Sequence, residues 1–156
     1  MKRKRFAIVR ARFNAPITQA LLDGALRAFA AAGISEDEVK TVEVPGAFEL
    51  PVAALWLAQS NEYEAIVAVG CVIRGETPHF DYVAGEAARG LGEVALRTGV
   101  PVSFGVLTTD TPAQAAARAS SVDASAPEHG NMHRTSNKGF EAAQAAMAMA
   151  AARASF

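Results

Sequence analysis

The stretch Gly70-Cys71-Val72-Ile73-Arg74-Gly75-Glu76-Thr77-Pro78-His79-Phe80-Asp81-Tyr82 concentrates the residue types that do chemistry. His79 can move a proton near neutral pH. Gly75 lets the backbone approach a ligand closely. The apolar run Glu64-Ala65-Ile66-Val67-Ala68-Val69 feeds this stretch and reads as a buried strand. After Pro78 the pattern turns helical, so a strand, a short polar loop and a helix start follow one another. Free N–H groups at such a helix start favour an anion. In open α/β sheets ligands sit beyond the carboxyl ends of the strands, which is where this loop falls.

Three further segments carry suspicious residues at expected strand ends: Phe13-Asn14, Gly46-Ala47-Phe48-Glu49 and Phe104-Gly105. In a parallel sheet these ends share one edge, and that convergence is the argument for a site there. Phe13 is either a hydrophobic lid over the next helix or a stacking platform for a flat heterocycle. Glu49 reads as a helix-stabilising carboxylate, leaving the N–H groups of Ala47 and Phe48 to meet a polar ligand. Arg74 reads as a structural ion-pair partner, for example of Glu76, in preference to a substrate contact. Cys71 reads as a buried packing residue, not a nucleophile. Arg118 and Lys138 are cations near helix ends, open to both a solvated role and a phosphate-binding one. His129 and His133 have a metal-ligand spacing, but they flank Gly130 in a polar stretch without a cysteine or carboxylate companion. That argues against a metal site.

The elements that must position these residues alternate. Phe6–Val9 is a first strand. Asn14 is an expected N-cap, with Pro16 in the first turn of a helix that Gly33 ends. Ile17, Leu21, Ala25 and Ala28 give that helix one apolar face. Val39–Val44 is a second strand, and residues 47–60 a second helix. Residues 64–71 form a third strand apolar on both faces. A helix over His79–Thr98 turns Val83, Ala87, Leu91 and Val94 inward and ends at Gly99. Pro101–Leu107 is a fourth strand, followed by a short helix over Pro112–Ala119. The polar stretch Ser120–Ser136 reads as a loop, and Asn137–Arg153 as a last helix. Strands alternating with helices predict a parallel sheet covered on both sides, with right-handed crossovers. Exposed small residues on the last helix, such as Ala145, Ala148, Ala151 and Ala152, suggest packing against other subunits.

Composition narrows the class. The chain has 156 residues, enough for one domain with a real core spanning 1–156. Hydrophobic residues make up 51%, which argues against disorder. Basic and acidic residues nearly balance, at 15 and 16, so no nucleic-acid partner is expected. The run Lys2-Arg3-Lys4-Arg5 reads as a solvated terminus. A single cysteine suits a reducing compartment. No apolar run approaches a membrane span, and no signal peptide is visible. The expectation is a cytoplasmic protein.

The residues also resemble a known family, the 6,7-dimethyl-8-ribityllumazine synthases. The matching segments are Arg12-Phe13-Asn14, Val44 to Pro51, Gly70 to Phe80, Pro101 to Thr108, and Asn137-Lys138-Gly139 followed by Glu141-Ala142-Ala143. No single piece decides the matter, but five in order span nearly the whole chain. The resemblance implies a flavodoxin-like three-layer α/β/α sandwich with a four-stranded parallel sheet. It implies a homopentamer with active sites between subunits, in some members as an icosahedral shell of pentamers. It implies no metal and no organic cofactor. The implied reaction joins 5-amino-6-(D-ribitylamino)uracil to 3,4-dihydroxy-2-butanone 4-phosphate, the penultimate step of riboflavin synthesis. Phe13 would stack on the uracil ring, and Gly46, Ala47, Phe48 and Glu49 would hold the ribityl chain and ring edge. Cys71, Val72 and Ile73 would contact the pyrimidine by backbone. Gly75, Glu76 and Thr77 would cradle the phosphate, Arg118 would pair with it, and Lys138 would support it. Phe104 would come from the adjacent subunit, and His79 would shuttle protons. The segment between Arg118 and Asn137 is longer than the compact bacterial pattern, and its Arg134 is a rival phosphate cation. Two other classes compete: a binding protein that holds a riboflavin-like ligand without turnover, and a structural shell or weakly active paralogue.

Overall fold

A computed structural model describes residues 3, 5–121 and 137–156. Four strands form one all-parallel sheet: β1 (Phe6–Ala11), β2 (Val39–Val44), β3 (Ala65–Ile73) and β4 (Val102–Thr109), in the order β2-β1-β3-β4. That is the flavodoxin-like order without its fifth strand, and it reverses direction between β1 and β3. The register runs Phe6 to Ala65 through Arg10 to Val69 on one side of β3, and Ile66 to Val102 through Ile73 to Thr109 on the other. Helices α1 (Ala15–Ala31), α2 (Leu50–Gln59), α3 (His79–Thr98), α4 (Pro112–Ala117) and α5 (Lys138–Ala154) connect and cover the strands.

Alternation along the strands sorts the apolar side chains into two cores. Phe6 and Ile8 of β1 and Val67 and Val69 of β3 face Leu21, Ala25 and Phe29 of α1 and Ala143 and Ala146 of α5. Ala7 and Val9 of β1 and Ile66 and Ala68 of β3 face Leu50 and Ala54 of α2 and Ala87, Leu91 and Val94 of α3. Each residue of β1 and nearly all of β3 is buried, as an internal parallel strand requires. The three-layer sandwich therefore stands. Gly33 and Gly99 follow α1 and α3 with φ of 80° and 72°, the left-handed values that end a helix cheaply at glycine.

Several boundaries differ from the sequence reading. β1 runs past Val9 to Ala11 and carries Arg10, only 8% exposed, inside the sheet. Its guanidinium is satisfied by Thr18 Oγ1, Gln19 Oε1, Glu43 Oε1 and the Ala15 carbonyl, so the buried cation costs little. The expected helix over 47–60 is a 3-10 turn, Ala47–Glu49, followed by α2. A further 3-10 turn, Glu36–Glu38, precedes β2 and was not anticipated. No helix among the described residues is long and apolar enough to cross a membrane.

Candidate active site

The carboxyl ends of β1, β2 and β3 meet around one cavity of about 770 Å³, within the size range of small-molecule sites. Phe13, Gly46, Ala47, Phe48, Glu49, Cys71, Val72, Ile73, Gly75, Thr77 and His79 all line it. Pro45, Phe80, Tyr82 and Val83 complete the wall.

The loop after β1 is set by its neighbours. The N–H of Arg12 donates to the Val44 carbonyl at 2.8 Å and that of Phe13 to the Pro45 carbonyl at 3.0 Å. These bonds carry the β1–β2 pairing one step beyond the strands and leave the Phe13 ring 71% exposed over the cavity. Asn14 does occupy the N-cap position of α1, but the expected capping bond is absent: its φ is 60° and its side chain makes no cap. The amide instead donates to the Cys71 carbonyl at 2.9 Å. A left-handed backbone aims the side chain away from the first turn and toward β3.

The turn after β2 is closed by its own carboxylate. Gly46 N–H donates to Glu49 Oε2 at 3.1 Å, while Glu49 N–H donates to the Gly46 carbonyl at 3.2 Å. The Glu49 carboxylate thus closes the 3-10 turn and makes no cap to α2, and the same bond holds it on the cavity wall.

After β3, Arg74 N–H donates to the Thr109 carbonyl at 2.8 Å, so β4 still guides the chain there. The Arg74 side chain is an ion-pair partner, but not of Glu76. It bonds Asp110 Oδ1 at 2.9 Å, reaches Asp81 Oδ1 at 3.6 Å and lies 4.4 Å over the Phe80 ring. Both acids come from the flanking elements, whereas Glu76 projects from the loop itself. Beyond this brace, Gly75 and Thr77 border the cavity and His79 opens α3, its N–H donating to Thr77 Oγ1 at 3.4 Å. His79 is exposed at the rim. Burial pushes the Cys71 thiol up to about 11. It stays protonated at neutral pH, and only a thiolate attacks.

Four expected site residues do not line this cavity: Glu76, Phe104, Arg118 and Lys138. Glu76 is exposed in the loop between two lining residues. Phe104 sits on edge strand β4 in register with Ala68, about 10 Å short of the Cys71 level at the strand rise, and is 38% exposed. Arg118 and Lys138 are adjacent, since Lys138 N–H donates to the Arg118 carbonyl at 2.8 Å. They follow α4 and open α5, whose core residues Ala115 and Ala142 pack on the α1 side of the sheet. The cavity belongs to the α2–α3 side. Arg118 Nη1 donates to the Gln114 carbonyl at 3.0 Å, and Lys138 Nζ lies 3.7 Å from Glu141 Oε2. His129, His133 and Arg134 lie outside the described residues.

Pro45, Phe80, Tyr82 and Val83 were missed as site residues. For the last three the signal was position: they fall in the first two turns of a helix that begins at the site.

A family model described as 6,7-dimethyl-8-ribityllumazine synthase matches residues 3–154. The match spans almost the whole chain, which belongs to that family.

Proposed function

We propose that this chain condenses 5-amino-6-(D-ribitylamino)uracil with 3,4-dihydroxy-2-butanone 4-phosphate, giving 6,7-dimethyl-8-ribityllumazine, phosphate and water for riboflavin synthesis. The observation that carries the reading is the shared cavity of Phe13, Glu49, Gly75, Thr77 and His79, in a chain of that family. Phe13 stacks on the pyrimidine ring. Gly46, Ala47, Phe48 and Glu49 hold the ribityl chain and ring edge, and Cys71, Val72 and Ile73 offer backbone groups to the ring. Gly75, Glu76 and Thr77, with the first N–H groups of α3, cradle the phosphate.

The chemistry asks little of the protein beyond placement and proton transfer. The pyrimidine's own amine attacks the ketone carbon, and water leaves as the imine forms. Loss of a proton from the sugar-derived carbon expels phosphate, the enol left behind becomes a second carbonyl, and the second amine closes the ring on it with loss of a second water. No enzyme nucleophile is needed, which suits a site whose one thiol stays protonated. Holding two substrates together supplies several kcal/mol, roughly, through effective molarity. His79 moves the protons.

Phe104, Arg118 and Lys138 enter the site from a neighbouring copy in a homopentamer, or in an icosahedral assembly of pentamers. Their place outside the cavity of their own chain, on an edge strand and on the opposite layer, supports that reading. One buried cysteine suits a reducing cytoplasm. Mixing the protein with both substrates and following lumazine fluorescence tests the reaction. Binding of the pyrimidine without product would leave only a ligand-binding protein. The native particle mass tests the assembly.

A further inference from the structure

We infer that Asn14 is a positioning residue: its amide locks the Phe13 ring and the Cys71 carbonyl into one rigid wall of the cavity. The inference rests on the proposed stacking role of Phe13.

The β1–β3 register ends at Arg10 and Val69. Residues along β3 turn their peptide groups alternately to its two neighbours. Cys71, two positions past Val69, therefore faces the side that β1 has vacated. Asn14 Nδ2 donates to its carbonyl at 2.9 Å and stands in for the missing strand. The bond crosses the gap between β1 and β3, where the strand order reverses and doubly wound sheets bind ligands. Asn14 reaches across only because its backbone is left-handed, with φ of 60° and ψ of 49°. That conformation is rare for residues other than glycine and asparagine. Phe13 is thus held from both sides: by its own N–H on the Pro45 carbonyl, and by the next residue on Cys71. Cys71 stays paired to Leu107 of β4 when the amide is removed, so Phe13 is the partner left free to move. The exposed ring has few packing contacts to hold it otherwise.

Asn14→Gly keeps the left-handed backbone unstrained and removes the amide. Asn14→Asp keeps the shape and sets a carboxylate, which cannot donate, against the Cys71 carbonyl. Binding of the pyrimidine substrate alone, by titration calorimetry, is measured for both variants, for Phe13→Ala and for Phe13→Ala/Asn14→Gly. Asn14→Gly is expected to weaken binding roughly tenfold, the size of one net hydrogen bond, and Asn14→Asp further. The double variant is expected to bind no worse than Phe13→Ala, since the tether acts through the ring. Steady-state KM for the butanone phosphate should stay at the wild-type value. Unchanged binding in Asn14→Gly, or losses that multiply in the double variant, overturns the positioning role and leaves the reaction standing. Pyrimidine binding by the wild type without lumazine formation overturns the reaction, and the Asn14 role is then decided by the binding constants. A wild type that does not bind the pyrimidine overturns both.

Discussion

Arg74 Nε donates to Asp110 Oδ1 at 2.9 Å and so ties the turn after β3 to the turn after β4. The same guanidinium touches Asp81 in the first turn of α3 and covers Phe80. Three holds on one side chain fix both ends of the loop that carries Gly75, Thr77 and His79. All three partners are solvent-accessible, and exposed pairs contribute little to stability. Arg74→Ala is therefore expected to leave the urea unfolding midpoint close to the wild-type value. In the same preparation, KM for the phosphate-bearing substrate should rise several-fold. Unaltered kinetics would reduce Arg74 to surface charge.

A second prediction concerns Asn137, which is 1% exposed and joins three elements. Its Nδ2 donates to the carbonyls of Ala20 and Ser120, each at 3.1 Å. Its Oδ1 accepts the Phe140 N–H at 3.0 Å and caps α5. A side chain on Gly24 would occupy the space of this amide. Asn137→Ala removes a cap and leaves two carbonyls without their donor. A loss of about 2–4 kcal/mol is expected. Gly24→Ala should destabilise as well, by collision with the same group. Chemical denaturation reads both, and a loss below about 1 kcal/mol for Asn137→Ala would contradict the bridging role.

Cys71 supplies a pH dependence with a definite sign. The folded thiol titrates near 11, and a free thiol nearer 9.0. The cause is burial, which disfavours the thiolate. Below pH 9 both states keep the proton and nothing is lost. Between 9 and 11 the unfolded chain has released its proton and the folded chain has not, so stability falls as pH rises. The full gap corresponds to about 3 kcal/mol. Cys71→Ala removes this contribution. The stability of the wild type relative to Cys71→Ala should therefore decline between pH 8 and pH 11 by up to that amount. A difference that is flat with pH would show that the thiol is not desolvated.

Much of this was legible in the residues. Apolar runs and helical spacing placed four strands in a parallel sheet, and Gly33 and Gly99 marked two helix ends where the backbone turns left-handed. Convergence of strand ends brought Phe13, Gly46–Glu49, Cys71–Ile73, Gly75, Thr77 and His79 to one cavity. What escaped depended on partners distant in sequence. Arg10 looks like the end of a strand until Thr18, Gln19 and Glu43 surround it. Arg74 takes Asp110 over the nearby Glu76, because β4 delivers that acid to its side. Asn14 has the composition of a cap, and only its left-handed φ turns the amide to Cys71. Phe104, Arg118 and Lys138 fall on the far layer or an edge.

The proposed reaction assigns different jobs to His79 and Arg118, and kinetics can separate them. His79 transfers protons during imine formation and phosphate loss, a contribution of about 10²–10⁴-fold. The amine nucleophile belongs to the substrate, and the cavity still holds both reactants in His79→Ala. That variant should turn over roughly 10²-fold more slowly without losing activity altogether. An unchanged kcat would remove His79 from the mechanism. Arg118 is exposed, its guanidinium resting on the Gln114 carbonyl of its own helix, so Arg118→Ser should fold normally. Its expected defect is a raised KM for the butanone phosphate, larger in kcat/KM than the loss in His79→Ala. Inorganic phosphate should also inhibit that variant more weakly than the wild type, because the same cation would hold it. If KM for the butanone phosphate stays at the wild-type value, the phosphate is seated elsewhere and Arg118 is only surface charge.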